Sequence, residues 1–161
     1  MVQQMSDKKE MEAYMQLMLS FAKVQKNMVR FIQKSAVKKG LSIPQYSILM
    51  TIIGCNEMTQ KNIGEKTVLP KSTLSQAIDG LVKEGYLDRQ QVEDNRRETL
   101  LALSTKGRAL VEELHLQEDG LHQAFKEASE QFTPDQVDEL LEAHGKISAY
   151  LTQVELEVAA K

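Results

Sequence analysis

The sequence contains few of the residues that build disulfide frameworks, metal sites or membrane spans. Cys55 is the single cysteine among 161 residues, which excludes an internal disulfide and any zinc site with two cysteine ligands. No apolar run reaches the roughly 20 residues that a membrane-spanning helix needs. Charged residues at positions 8–10 interrupt the N-terminus, where a signal peptide would be apolar. We therefore expect a cytoplasmic protein.

The motifs that mark common enzyme classes are also missing. The sequence has no glycine-rich phosphate-binding loop, no nucleophile elbow and no metal-binding helix motif. His115 and His122 are seven residues apart on one face of a predicted helix, which is not the spacing of four that pairs metal ligands on a helix. We interpret these two histidines and His144 as structural or surface residues. The sequence predicts no enzyme, no metal and no cofactor.

Charge is distributed unevenly along the chain. Residues 1–58 carry a net charge of +4 and residues 59–108 carry +2, whereas residues 109–161 hold 3 basic and 12 acidic side chains. The formal net charge of −3 is therefore a property of the C-terminal segment. Ordinary salt screens charges over about 8–10 Å, so an acidic segment held away from DNA would not prevent nucleic-acid binding.

Residues 59–87 carry the clearest functional signal. Thr59 is a typical helix N-cap, and Pro70 is tolerated at the opening of a helix but not in its middle. Gly85 is typical of the position just past a helix end. These signals predict two short helices joined by a tight corner at residues 68–70, which is the pattern of a helix-turn-helix.

The second predicted helix has two distinct faces. At 100° per residue, one face is apolar and comprises Leu74, Ala77, Ile78 and Leu81. The opposite face is polar and comprises Ser72, Gln76, Asp79 and Lys83, with Ser75 at its flank. Short hydroxyls and an amide can hydrogen-bond to base edges in a major groove. A solvated surface helix is the alternative interpretation of this polar face.

A hairpin is predicted directly after the second helix. Residues 86–92 and 99–103 have the composition of strands, and Leu101 and Leu103 share one face at a period of two. The polar residues 93–98 form the expected turn, with Arg96 and Arg97 at its tip. Guanidinium groups on such a wing can enter a minor groove or contact phosphates.

Residues 59–107 resemble the winged-helix core of the MarR (multiple antibiotic resistance regulator) family. The wing motif of that family is approximately D-x-R-x-x-x-L-x-L-T-x-x-G, and residues 95–107 read N-R-R-E-T-L-L-A-L-S-T-K-G. Four positions match the motif, namely Arg97, Leu101, Leu103 and Gly107. Asn95 replaces the aspartate, and Ser104 replaces the threonine as an equivalent N-cap. The likeness extends over nearly the whole chain.

The resemblance implies a mainly α fold with a small β-wing, in which a winged helix-turn-helix core is flanked by dimerisation helices. The expected boundaries are 1–40 for the N-terminal dimerisation helix, 41–104 for the DNA-binding domain and 105–161 for the C-terminal dimerisation helices. The implied function is a homodimeric, sequence-specific transcriptional regulator, a ligand-responsive repressor that binds double-stranded DNA at a pseudo-palindromic operator. The implied effector is a small aromatic or anionic compound.

The expected DNA contacts lie on the second helix and the wing. The candidates for base edges are Ser72, Thr73, Ser75 and Gln76. The candidates for phosphates are Lys71, Arg89 and Arg96, and Arg97 is the candidate for the minor groove. Asp79 could accept a hydrogen bond from the amino group of a cytosine or brace a neighbouring arginine, and we favour the brace.

Helices are predicted on both sides of this core. Residues 10–38 have apolar side chains at helical spacing along two seams, which is more apolar surface than one neighbour covers. Ser42 and Gln45 form a capping-box pattern that opens the next helix. Its predicted buried face comprises Tyr46, Leu49, Met50 and Ile53. After the wing, one long helix is predicted from residue 105 to about 131, with Gly120 as a weak point.

The last predicted helix carries the most regular apolar seam. It is opened by a capping box at Thr133 and Gln136. Its seam repeats at alternating spacings of three and four and comprises Val137, Leu140, His144, Ile147, Leu151, Val154 and Val158. Three such heptads need a partner helix, and we infer a homodimer.

Two other functions remain open at this stage. The first is a helical protein-interaction module with weak DNA binding, which is suggested by Gly80, where many relatives carry arginine, and by Asn95. The second is a thiol redox sensor that acts through Cys55. A small buried hydrophobic residue is the simpler interpretation of this cysteine, because no His, Lys or Arg lies close to it in sequence.

Overall fold

The computed structural model describes the backbone of residues 2–55, 57–92 and 95–159, and the side chains of residues 11–55, 57–91 and 98–159. The described chain divides into two compact units, residues 1–122 and 123–161. In chain order its elements are α1 (Val2–Lys38), α2 (Ile43–Ile52), a 3-10 helix (Ile53–Cys55), β1 (Glu57–Thr59), α3 (Gln60–Thr67), α4 (Lys71–Lys83), β2 (Leu87–Val92), β3 (Asn95–Leu103), α5 (Thr105–His115), α6 (Leu121–Ser129) and α7 (Pro134–Ala159). The mainly α fold with a small β-wing is confirmed.

The caps of the helix-turn-helix lie where the sequence predicts them. The Thr59 side chain accepts a hydrogen bond from the backbone N–H of Asn62 at 3.2 Å and opens α3. Pro70 is the N-cap of α4, which ends at Lys83, two residues before Gly85. Gly85 has a φ of 76°, a left-handed conformation that glycine adopts without steric cost. Both helices and the corner between them are therefore confirmed.

The three strands form one antiparallel sheet in the order β1-β3-β2. Leu101 and Leu103 are both buried, as their alternation predicts. β1 has no counterpart in the sequence prediction, because three residues are too few to show a period. β3 begins at Asn95, so the predicted turn over residues 93–98 is too long. Arg96 and Arg97 therefore belong to a strand, which pairs through Val92 and Asn95.

The hydrophobic core lies between α2, α3, α4, the sheet and α5. Its fully buried side chains include Ile48, Leu49, Ile52, Ile63, Ile78, Leu81, Leu101 and Leu114. The predicted inner face of α2 is correct for Tyr46 and Leu49 but wrong for Ile53, which is 41% exposed. Ile53 lies in the 3-10 helix, where the chain leaves the α-helical period. Met50 is half-buried at the edge of the core.

The predicted helix over residues 105–131 is two helices, and this prediction is wrong. α5 ends at His115, and the N–H of Gly120 donates to the carbonyl oxygen of Gln117 at 2.9 Å in the intervening turn. A Cβ at Gly120 would lie 2.9 Å from that same oxygen. Asp119 in the turn pairs with Lys34 and Lys38 of α1 at 2.8 and 2.6 Å. These contacts favour the turn over a continuous helix.

The first and last helices expose apolar side chains. α1 begins at Val2, earlier than predicted, because the polar residues before position 10 are helical without showing an apolar period. The exposed apolar residues of α1 include Met11, Tyr14, Met15, Leu17 and Met18. Those of α7 include Leu140, Leu141, Leu151, Leu156 and Val158. Among the described residues, no helix is long and apolar enough to cross a membrane.

Candidate nucleic-acid interface

The second helix of the helix-turn-helix, α4, presents one polar face from a rigid base. Its inner residues Leu74, Ala77, Ile78 and Leu81 are buried, as predicted. Gly64 of α3 allows the two helices to pack closely, since a Cβ there would lie 2.9 Å from Cδ2 of Leu74. The outer residues Ser72, Gln76, Asp79 and Lys83 are exposed. The orientation of this polar face is therefore fixed by the packing beneath it.

The predicted base-contacting residues differ in their exposure. Lys71, Ser72 and Gln76 are exposed, whereas Thr73 and Ser75 are half-buried. Gln60 of α3 donates a hydrogen bond from its Nε2 to Oγ of Ser75 at 3.3 Å. This contact holds the Ser75 hydroxyl against α3. Sequence reasoning did not include Gln60 in the site, because its position in the helix gives no sign of this contact.

Asp79 and Arg89 connect α4 to the wing. Nη2 of Arg89 lies 2.6 Å from Oδ1 of Asp79, and the two side chains are 41% and 66% exposed. The interpretation of Asp79 as a brace for a neighbouring arginine is confirmed. A guanidinium has five N–H donors, so Arg89 retains donors for a second acceptor. Such an exposed pair contributes about 0.2–1 kcal/mol to stability, and its main effect is on where the guanidinium lies.

The base of the wing is fixed by the segment that matches the family motif. Oγ of Ser104 donates to the carbonyl oxygen of Gly85 at 2.6 Å and accepts from the N–H of Gly107 at 2.9 Å. A Cβ at Gly107 would lie 2.0 Å from the carbonyl oxygen of Tyr86, so only glycine fits there. Nζ of Lys106 lies 4.4 Å from the ring centroid of Tyr86, a cation–π contact. The side chains of Arg96 and Arg97 lie outside the described residues.

Gly80 lies where α4 approaches the start of α2. A Cβ at this position would lie 2.6 Å from Nε2 of Gln45. Oε1 of Gln45 accepts a hydrogen bond from the N–H of Ser42 at 2.9 Å, which completes the capping box of α2. A larger residue at position 80 would displace Gln45. Glycine at position 80 therefore leaves room for the Gln45 side chain in its capping position.

A cavity of about 300 Å³ lies behind the helix-turn-helix. Its lining comes from α1, α2, α3 and the start of α6 and comprises Ile32, Tyr46, Ser47, Met50, Thr51, Lys66, Thr67, Leu121 and His122. Burial raises the pKa of the Tyr46 hydroxyl. Burial, and secondarily the charge of His115, lowers the pKa of His122. The cavity combines apolar walls with one cationic side chain, Lys66.

Two predictions about single residues need correction. Cys55 is exposed, so its interpretation as a buried hydrophobic residue is wrong; it ends the 3-10 helix after α2 rather than facing the core. His115 and His122 do not lie on one helix face, because the α5–α6 turn separates them. His144 is exposed on α7. Among the described residues, His, Cys, Asp and Glu form no group of three that could hold a metal ion.

Residues 41–99, which contain α2, the helix-turn-helix and most of the wing, match the family model described as the MarR family. This stretch is a MarR family domain. The chain is 24% identical over 101 residues to the HTH-type transcriptional repressor YetL of Bacillus subtilis (strain 168). The matched region covers 62% of this chain and 60% of that protein. The chain is also 28% identical over 75 residues to the organic hydroperoxide resistance transcriptional regulator of the same strain. This matched region covers 47% of this chain and 51% of that protein. The chain thus spans roughly half to 60% of these relatives.

Solved structures share the fold of the MarR family domain and its flanking helices. AbfR of Staphylococcus epidermidis has a TM-score of 0.72 at 20% identity, covering 91% of this chain and 98% of that one. A mutant MarR from E. coli complexed with operator DNA has a TM-score of 0.66 at 21% identity, covering 81% and 92%. NadR in complex with 4-hydroxyphenylacetate has a TM-score of 0.70 at 13% identity, covering 80% and 89%. At these identities the likeness establishes the fold.

Proposed function

We propose that the protein is a homodimeric transcriptional regulator, a ligand-responsive repressor that binds a pseudo-palindromic operator. The observation that carries the proposal is the exposed polar face of α4, which stands on a buried apolar face and is connected to a β-wing through Asp79 and Arg89. A helix presented in this way can enter a major groove while the wing follows the backbone. The DNA-bound MarR structure shares this fold and supports the proposal.

The proposed DNA contacts divide by chemistry. We propose that base edges are contacted by Ser72, Thr73, Ser75 and Gln76. Thr73 and Ser75 are half-buried, so their contacts depend most on how deeply α4 enters the major groove. Lys71, Arg89 and Arg96 are proposed for phosphates, and Arg97 for the minor groove. In the dimer, the two copies of α4 would enter successive major grooves about one helical turn apart.

The proposed dimer uses the exposed apolar faces of α1 and α7. We assign residues 1–40 and 105–161 to dimerisation and residues 41–104 to DNA binding. An α-helix with apolar residues at a and d positions buries them against a second helix. The exposure of Leu151, at 62%, and of Met18, at 58%, supports an interface at these helices.

The proposed effector site is the cavity of about 300 Å³ behind the helix-turn-helix. A small aromatic acid would place its ring against Ile32 and Leu121 and its carboxylate near the ammonium of Lys66. The complex of NadR with 4-hydroxyphenylacetate supports this class of compound. The cavity borders both α1 and the end of α3. A compound that binds better to one arrangement of these two helices would therefore shift the protein towards that arrangement and change the spacing of the two α4 helices in the dimer.

Thiol oxidation at Cys55 is a second candidate for the regulatory signal. The observation that favours it is the exposure of the thiol at the end of α2. The similarity to an organic hydroperoxide resistance regulator supports this alternative. Release of DNA by peroxide from the natural protein, but not from Cys55→Ser, is the expected result for a redox sensor. Equal release from both proteins would exclude Cys55.

The experiment that tests the proposal is fluorescence anisotropy on genomic DNA fragments selected for binding. We expect tight, sequence-selective binding. The logarithm of the association constant should fall linearly with the logarithm of the salt concentration, with a slope of about 0.9 per phosphate contacted. Weak binding that ignores sequence would contradict the regulator and would favour a protein-interaction module built on the exposed faces of α1 and α7.

The wing is tested by Arg97→Ala. We expect operator affinity to fall by about 1–3 kcal/mol, while sedimentation shows an unchanged dimer. Lys146→Ala is the matched control, because Lys146 is a basic residue of α7 that pairs with Glu142. An unchanged affinity for Arg97→Ala would mean that the wing does not contact DNA.

A further inference from the structure

The turn between α5 and α6 brings two imidazoles and one sulfur together. The ring centroids of His115 and His122 lie 4.7 Å apart, with their planes inclined by 50°. Nε2 of His122 lies 3.1 Å from Sδ of Met50 on α2. A continuous helix would have placed the two histidines nearly two turns apart. The group therefore exists because the chain turns at Gly120.

These distances are compatible with one bound ion. Two imidazoles that bind one ion through bonds of about 2.0 Å have their ring centres roughly 4.5–5.5 Å apart when the bonds meet near a right angle or somewhat wider. The His115–His122 separation of 4.7 Å lies in this range. Nε2 of His122 and Sδ of Met50 must move apart by a few tenths of an ångström or more to admit an ion. Both side chains border the cavity behind the helix-turn-helix, which leaves room for that movement.

The chemistry of the three donors selects the kind of ion. Imidazole and thioether are neutral ligands, and thioether sulfur favours soft ions such as Cu(I). Lys66 lines the same cavity as Met50 and His122, so a monovalent cation would be repelled less than a divalent one. His115 is exposed whereas Met50 and His122 are half-buried, so an ion can enter from solvent at His115.

We propose that Met50, His115 and His122 form a binding site for a soft monovalent cation, Cu(I) or its redox-inert analogue Ag(I). The bound ion would connect α2, which belongs to the MarR family domain, to α5 and α6. This site does not depend on the proposed DNA binding and is tested without DNA.

The test is calorimetric titration of the full chain with Ag(I) in chloride-free buffer at about pH 7.5, where an ordinary imidazole is unprotonated. All proteins carry Cys55→Ser, because an exposed thiol also binds soft ions. We expect one ion per chain. Loss of even an outer hydrogen-bond partner of a metal ligand costs about 10- to 100-fold in affinity. His122→Gln and Met50→Leu should therefore each weaken binding by at least about tenfold.

The controls separate loss of a ligand from loss of structure. Met50→Leu nearly conserves volume and costs less than about 1.5 kcal/mol of stability, and thermal unfolding of each variant checks this. His144→Gln and Met28→Leu change the same residue types elsewhere and should bind Ag(I) as the Cys55→Ser parent does. In the NMR spectra of the parent, Ag(I) should shift the side-chain signals of Met50, His115 and His122.

Three results would overturn the proposal. The first is the absence of Ag(I) binding by the Cys55→Ser parent. The second is equal affinity in the parent and in His122→Gln. The third is a set of shifts confined to the exposed methionines of α1, namely Met11, Met15 and Met18, which would place the ion on that helix instead.

Discussion

Val68 adopts an unusual backbone conformation at the corner between α3 and α4. Its φ of 54° is left-handed, and it is the only non-glycine residue with a positive φ among the described residues. A β-branched residue in this conformation costs about 1 kcal/mol or more. The Val68 side chain is 86% exposed, so it makes little hydrophobic contact that could offset this conformational cost. The corner therefore depends on the helices that flank it rather than on its own residue.

We expect Val68→Asn to stabilise the protein by about 0.5–1 kcal/mol, because asparagine tolerates the left-handed region better than valine. The measurement is urea unfolding followed by circular dichroism. Val37→Asn is the matched control, since Val37 is 77% exposed but lies in the helical part of α1. A gain of the same size in both variants would assign the effect to surface polarity and contradict the conformational explanation.

The pair of Asp79 and Arg89 predicts a separation between stability and DNA affinity. Because both side chains are largely exposed, Asp79→Asn should change the free energy of unfolding by less than about 1 kcal/mol. It should weaken binding to the selected operator more than binding to random DNA, since Arg89 loses its fixed position. Arg89→Ala should weaken both, and the double variant should bind as Arg89→Ala does. Additive losses would mean that the two residues act separately.

At the scale of elements, the turn between α5 and α6 depends on ion pairs with α1. Hydrogen bonds from Lys34 and then Lys38 hold the pKa of Asp119 far below its ordinary value of 3.8. A carboxyl group with a lowered folded-state pKa adds stability above its unfolded pKa and loses it as the pH falls. The stabilisation by Asp119 should therefore be complete at about pH 5 or above and should decline below about pH 4.

Thermal unfolding of the natural protein and of Asp119→Asn over this pH range tests that dependence. The difference in melting temperature should be largest near neutral pH, shrink in acid, and also shrink in high salt because the pairs are exposed. Asp138→Asn on α7 is the control and should show a smaller difference across the range. A difference that persists unchanged in strong acid would rule out the ion pairs as its source.

The elements that the sequence predicted correctly have local signals. Thr59, Pro70 and Gly85 each set a helix boundary through their own backbone or side-chain chemistry. The elements that it missed depend on distant partners. The turn at Gly120 is held by Asp119, whose partner Lys38 lies 81 residues away. Likewise, no local pattern identifies Arg89 as the arginine that Asp79 braces, or indicates that Gln60 contacts Ser75. The exposed face of α4 was correctly predicted from its period.

At the scale of the whole molecule, the position of the acidic side chains along the chain makes the net negative charge compatible with the proposed DNA binding. The 12 acidic side chains of residues 109–161 belong to segments outside the MarR family domain. The helices of these segments expose apolar residues that the described chain does not cover. A second copy of the chain would bury such faces and would bring two α4 helices into one complex.

Leu151→Glu tests this arrangement in one substitution. Leu151 is 62% exposed, so a charge there should leave the single chain folded but should oppose burial in a dimer. We expect sedimentation to show a shift towards monomer, and operator affinity to fall because one chain contacts only one half-site. Ala149→Glu adds the same charge on the opposite side of α7 and should keep both the dimer and the affinity. If Leu151→Glu stays dimeric with full affinity, the apolar seam of α7 does not form the interface, and the exposed methionines of α1 become the next candidates.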